Sequence, residues 1–250
     1  MENIENEICF LSENDSRHAI KVLRLKKNHR IAIVNGKGII GKAEIFDAHP
    51  KKTKIKIIEL EKKSKPLFLA LAFCPTKSNE RNSFIIEKAT EIGVTDFYPI
   101  ISQNSERRIW NINKFEKNLI ATLKQSQRFW IPTIHKIQNF NDFIKNQDLP
   151  ILKFLAHCKQ SSKQKLSLLV NHKKPQIIVI GPEGDFTNQE INDSLKHGFK
   201  MVELGKNRLR TETACLVSVT LMKFWHSISL NSNYTKLYLY NLKKLKYLLK

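Results

Sequence analysis

The chain has 250 residues, and its 43 lysines and arginines against 23 acidic residues leave a formal net charge of +20. The length suits one large domain or two ordinary ones. The charge suits a polyanionic partner, because cations that replace the counterions of a phosphate backbone release them to solvent; a genomic bias toward lysine codons is the bland alternative. Cys9, Cys74, Cys158 and Cys215 are scattered, with no C-x-x-C pair and no histidine at ligand spacing. That pattern argues against a metal centre and against a disulfide framework. A run of about 18 apolar residues, the length that crosses a membrane, does not occur, and Met1 to Glu5 carry no basic, then apolar leader. A cytoplasmic protein with no membrane partner is expected.

The first sixty-odd residues read as β-rich. A short helical patch around Ser16 to Val22 precedes Arg30 to Val34, the turn Asn35-Gly36-Lys37-Gly38, and the partly alternating run Ile39 to Phe46. Asn-Gly between two apolar runs is a strong hairpin signal. Past His49-Pro50, Thr53 to Ile57 alternates strictly and turns lysines outward, which suggests a small barrel over residues 1–65 with a basic outer face. Glu61 to Pro66 is polar and ends in proline, and reads as a linker.

From residue 66 the pattern changes. Strands are predicted at Leu67 to Phe73, Val94 to Ile101, Ile151 to Ala156 and Gln176 to Ile180. Helices are predicted at Arg81 to Ile92, closed by Gly93, and near Lys114 to Gln125 and Asn188 to His197. Strands alternating with helices imply an α/β domain, here over residues 66–230, with a parallel sheet covered on both faces. Residues 231–250 are rich in Leu, Tyr and Lys and hold no acidic residue. They read as a terminal helix packed on the body or, less readily, as a basic tail on RNA.

Gly36-Lys37-Gly38-Ile39-Ile40-Gly41 is a literal G-x-G-x-x-G. A dinucleotide fingerprint should open a helix. The residues that follow are strand-like, so the glycines are assigned to a hairpin turn.

Two segments carry the chemistry. In the first, the apolar run Ile177 to Ile180 enters Gly181-Pro182-Glu183-Gly184-Asp185-Phe186, and Thr187 with Glu190 forms a capping-box pair that fixes the next helix start. A glycine-flanked turn between a strand and a helix is where α/β folds bind ligands through backbone amides, although a plain strand–helix connection explains it about as well. The second is Val202-Glu203-Leu204-Gly205-Lys206-Asn207-Arg208-Leu209-Arg210-Thr211-Glu212-Thr213-Ala214. A short strand ends at Leu204, and Thr211 is placed to cap a helix running through Leu221.

Together these segments resemble the RsmE family of SPOUT methyltransferases. The G-P-E-G and L-G-x-x-x-L-R-T-E-T-A runs stand in the family's order and spacing, as do His18 to Arg24, Glu87 to Val94 and Lys124-Gln125-Ser126 before Pro132. The resemblance covers roughly residues 10 to 228. Many members have a second glycine where Asp185 stands, and often Glu where Lys124 stands. The resemblance implies a PUA-like RNA-binding barrel followed by a trefoil-knotted methyltransferase domain, and a homodimer. It also implies S-adenosyl-L-methionine as cofactor, no metal, and methylation of N3 of a uridine in 16S RNA of the small ribosomal subunit. The cofactor would lie against Ile180, Gly181, Pro182, Glu183, Gly184, Leu204, Gly205, Leu209, Arg210, Thr211, Thr213 and Ala214. RNA would be held by Arg17, His18, Lys21, Arg24, Arg107, Arg108 and Arg128.

Methyl transfer to N3 needs the imide proton removed or the imide anion stabilised. Arg107, Arg108 and Arg210 are candidates for the electrostatic role, and Glu212 or Glu183 for a base. For each carboxylate, pairing with an arginine or with loop amides is an equally good reading. A knotted enzyme acting on transfer RNA, and a non-catalytic ribosome-assembly factor, are the alternatives.

Overall fold

The structure, a computed structural model, describes residues 7–126 and 128–230. The expectations for the tail 231–250 therefore fall outside the described residues. The chain divides into two compact units, residues 1–66 with 123–131, and residues 67–122 with 132–250.

The first unit holds β1 (Ile8–Phe10), α1 (Glu13–Arg17), a π-helical turn (His18–Val22), β2 (Arg30–Val34), β3 (Ile39–Asp47) and β4 (Lys54–Lys62). The strands form an antiparallel sheet in the order β1-β4-β3-β2. Ala43 pairs with Ile57, and Ile45 with Ile55, and all four are buried. The alternation of β4 therefore decides which face is core, because successive side chains of a strand point to opposite sides. Two register shifts between β3 and β4 bend the sheet. The run expected to be a linker is shorter than the sequence suggested, since β4 continues to Lys62. Gly36 and Gly38 have φ of +68° and +88°, and Asn35 Oδ1 accepts from the amides of Lys37 and Ile39 at 2.8 and 3.0 Å. The G-x-G-x-x-G run is thus a hairpin turn. Residues 123–131 join this unit: Gly38 N donates to Phe129 O at 2.8 Å, and Trp130 Nε1 donates to Lys63 O at 3.3 Å. Nothing local in the sequence pointed to that pairing.

The second unit holds β5 (Leu69–Phe73), α2 (Asn79–Ile92), β6 (Asp96–Ile101), α3 (Ile112–Gln125, whose last turn belongs to the first unit), β7 (Thr133–Ile134) and β8 (Gln138–Asn139). There follow α4 (Phe140–Ile144), β9 (Leu152–Ala156), β10 (Gln164–Lys165), α5 (Leu166–Leu169), β11 (Gln176–Ile180), α6 (Asn188–Lys196), β12 (Lys200–Glu203) and α7 (Thr211–Leu230). The sheet is parallel, in the order β10-β12-β9-β11-β5-β6-β7, with β8 also on β6. One face buries Leu71, Phe73, Ile178 and Phe154 against Ile85, Ala89, Val219 and Met222 of α2 and α7. The other buries Ala72, Val179 and Leu155 against Phe143, Phe186 and Ile191. Burial on both faces is why these strands read as continuous apolar runs rather than alternating ones.

The connection from β9 to β11 places β10 outside β12 and packs α5 on α7. The chain leaving β12 at that edge returns to pack α7 on β11 and β5. The two connections thus run over the same edge of the sheet, a relation between distant segments that leaves no trace in periodicity.

Candidate functional site

The carboxyl ends of β12, β9 and β11 lie side by side. The loops that follow them meet at one edge of the sheet, the usual ligand-binding edge of a parallel α/β fold. They line a cleft of about 890 Å³. Ala156, His157 and Cys158 come from the loop after β9. Ile180 to Glu183 and Asp185 come from the loop after β11, and Leu204 to Arg210 from the loop after β12. Thr211, Glu212 and Ala214 of α7 and Arg81 of α2 complete the wall.

Side chains tie these loops together. Thr211 Oγ1 donates to Gly181 O at 3.3 Å, and Arg208 Nη2 donates to Glu183 O at 3.0 Å. The Cys158 amide donates to Asp185 Oδ2 at 2.8 Å. Lys163 Nζ donates to the carbonyls of His157 and Lys159, both at 2.9 Å. Behind the turn, Asn104 Nδ2 donates to Gly184 O and Asp185 O at 3.2 and 2.9 Å. The capping box of Thr187 and Glu190 is formed, and Glu190 Oε1 also accepts from Gln103 N at 2.8 Å. Thr211 is the first residue of α7 rather than the residue before it, and its hydroxyl donates to the neighbouring loop.

The structure gathers most of the residues that the sequence singled out. Ile180, Gly181, Pro182, Glu183, Leu204, Gly205, Leu209, Arg210, Thr211, Glu212 and Ala214 all line the cleft. Gly184 does not; a Cβ there would lie 3.1 Å from Asn104 Cβ. Thr213 is exposed and is not among the residues that line the cleft. Gly181 and Gly205 differ. A Cβ on Gly181 would press on the Phe186 ring at 2.8 Å, whereas one on Gly205 would meet nothing within 4 Å. The absent side chain at 181 accommodates an aromatic ring of the protein, and the one at 205 leaves open space.

Arg107 does not line the cleft either. Its guanidinium is occupied by backbone carbonyls, Nε with Ile109 O at 3.0 Å and Nη1 with Lys77 O at 3.0 Å. It pins the loop after β5. Arg108 borders a second cleft of about 480 Å³ beside Thr187 and Glu190. Arg17, His18, Lys21 and Arg24 form one exposed basic stretch along α1 and the π-helical turn, and Arg24 holds φ of +54°. Arg128 belongs to the first unit and is half-buried, which lowers its pKa.

Sequence reasoning missed Arg81, His157, Cys158, Lys163 and Asp185 as neighbours of the cleft. Arg81 Nε stands 3.7 Å from Glu212 Oε1. His157 is buried, and burial with the cations Lys163 and Lys159 holds its pKa below the ordinary value, against the opposing pull of Asp185. Its Nδ1 is a buried atom without a hydrogen-bond partner. The position of His157 and Cys158 just past the end of a buried strand was the one available signal for them. Cys74, by contrast, is an inert core thiol, pushed up to about 11 by burial.

Among known proteins, residues 63–223 match the model of an RNA methyltransferase domain and residues 11–58 that of an RNA methyltransferase PUA domain. Ribosomal RNA small subunit methyltransferase E of Buchnera aphidicola (subspecies Acyrthosiphon pisum) is 32% identical over 226 residues, 87% of this chain and 88% of that one. A probable rRNA-methyltransferase from Porphyromonas gingivalis has a TM-score of 0.83 at 30% identity, covering 88% and 94% of the two chains. A ribosomal RNA small subunit methyltransferase E from Neisseria gonorrhoeae, solved bound to S-adenosyl methionine, has a TM-score of 0.75 at 28% identity, covering 87% and 92%. With both domains matched in order and the relatives matched along nearly their whole length, the chain belongs to the ribosomal RNA small subunit methyltransferase E family.

Proposed function

We propose that the protein transfers the methyl group of S-adenosyl-L-methionine to N3 of a uridine in 16S RNA of the small ribosomal subunit. The observation that carries this reading is the meeting of the G-P-E-G turn and the L-G-x-x-x-L-R-T-E-T-A loop on one cleft of about 890 Å³. The residues suit the cofactor. Ile180, Val202, Leu204 and Leu209 offer an apolar wall to its adenine, and the space beside Gly205 lets a ligand approach the backbone. Glu183 and Glu212, with Arg81 and Arg210, offer charged partners for its amino acid end and for RNA.

When bound, the cofactor supplies an electrophilic methyl on a sulfonium, so no covalent enzyme intermediate is needed. The loops after β9, β11 and β12 would hold the donor beside the acceptor base, and such positioning can supply much of the rate. Arg210, exposed on the cleft wall, stabilises negative charge as N3 loses its proton. Glu212 stands beside Arg81 and keeps that guanidinium turned toward α7. Because N3 lies on the pairing edge of uracil, the base must be unpaired or extruded to reach the site. The exposed stretch Arg17, His18, Lys21 and Arg24 engages the phosphate backbone and sets register without reading sequence. A homodimer in the cytoplasm belongs to this reading. No helix among the described residues is long and apolar enough to cross a membrane, and no cluster of metal-binding side chains occurs among them.

Mass spectrometry of ribosomal RNA from a deletion strain tests the reading. Loss of one N3-methyluridine from small-subunit RNA, restored by the purified protein with S-adenosyl-L-methionine, is the expected result. A complete set of small-subunit methylations in that strain would refute it.

A further inference from the structure

We infer that Asp185 is a positioning residue for the cofactor cleft, acting through the amide of Cys158 to hold the loop after β9 against the loop after β11. The inference rests on the reading of the cleft as the cofactor site. Asp185 has φ of +60°, a left-handed conformation that glycine adopts freely and that aspartate tolerates when its short side chain bonds nearby backbone. Both of its carboxylate oxygens are engaged: Oδ2 accepts from Cys158 N, 27 residues earlier in the chain, and Oδ1 from Phe186 N, each at 2.8 Å. The backbone is held as well, with Asp185 N donating to Pro182 O at 3.0 Å and its carbonyl accepting from Asn104.

The consequence is local and directional. The turn after β11 is fixed by Asn104, Arg208 and Thr211. The loop after β9 is fixed from its far side by Lys163, which holds the carbonyls of His157 and Lys159. The bond from Cys158 to Asp185 joins the two, so that Ala156, His157 and Cys158 present a set wall to the ligand. A wall already in place spares the ligand the entropy of ordering it, which appears as affinity. Asp185 lines the cleft with both oxygens bound to backbone amides, and through them it sets the pocket's shape.

Calorimetry with S-adenosyl-L-methionine on the full chain tests this with two variants. Asp185→Gly keeps the backbone conformation and removes the tether. Asp185→Asn tolerates the left-handed region and removes the charge, and keeps one oxygen for two amide donors. Asp185→Gly is expected to raise the cofactor Kd about tenfold, equivalent to about 1.4 kcal/mol, and the cofactor KM with it. The KM for RNA and the Tm without cofactor should hold. Asp185→Asn should weaken cofactor binding as well, because its amide nitrogen cannot accept from the second N–H. Native affinity in Asp185→Gly would overturn the inference while leaving the cofactor site standing. So would a fall in Tm with parallel loss of RNA binding. Absence of cofactor binding by the unaltered protein would overturn the cofactor reading and the inference together.

Discussion

Arg81 Nε lies 3.7 Å from Glu212 Oε1, so a carboxylate of the cleft stands beside a positive charge. A guanidinium stays protonated throughout the working range and cannot itself be the base. We propose that stabilisation of the imide anion, rather than proton removal by Glu212, carries the reaction. Single-turnover methylation rates, with cofactor and RNA saturating, should keep rising with pH toward the pKa of the uridine imide. Glu212→Gln should slow the reaction by less than tenfold and leave that slope intact. A plateau starting near neutral pH and abolished in Glu212→Gln would make Glu212 the base.

Gly205 and Gly181 should respond differently to the same substitution. Gly205→Val places its side chain in open space, so the fold should survive while cofactor binding is lost. Gly181→Val forces the chain against the buried Phe186 ring and should destabilise the domain by about 1–3 kcal/mol, as overpacked cores do. Thermal unfolding and cofactor titration on both variants check the contrast; native cofactor affinity in a folded Gly205→Val protein would remove Gly205 from the site.

The first unit should carry the salt-dependent part of RNA binding. Replacing Arg17, Lys21 and Arg24 by alanine should weaken binding and flatten the dependence of log Kd on log salt by about one unit per lost phosphate contact. Arg24→Gly alone is informative, because relief of the left-handed strain at φ of +54° offsets the greater freedom glycine has when unfolded. Its stability should stay within about 1 kcal/mol of native while RNA affinity falls. An unchanged salt slope in the triple variant would assign the RNA surface elsewhere.

His157 should make the catalytic domain acid-sensitive. Burial and the neighbouring Lys163 hold its pKa below the ordinary 6.5, so the folded protein binds this proton less readily than the unfolded chain. Its contribution to stability is complete above pH 6.5, begins to be lost as pH falls through that value, and is fully lost below the folded pKa. Denaturant midpoints at pH 5 and pH 7.5 should differ more for the native protein than for His157→Asn; equal differences would remove His157 from the acid response.

The sequence by itself determined the division into a β-rich first part and an α/β second part, the strand–helix alternation, and the two segments that line the cleft. Each is a local property. The run Ile177 to Ile180 is apolar because both faces of β11 are covered, and Thr187 with Glu190 caps α6 within a single turn. The turn chemistry at Asn35 to Gly38 likewise ruled out a cofactor fingerprint from its neighbours alone. Only the tertiary structure decided what depends on crossing the chain. It brought Arg81 to Glu212, put Cys158 on Asp185, returned residues 123–131 to the first unit, and turned Arg107 away to bind carbonyls. The order β12-β9-β11 places three separated loops at one edge, and α7 returns from there to pack on β11 and β5. Periodicity reports the faces of one element at a time, whereas a cleft is a relation among elements far apart in the chain.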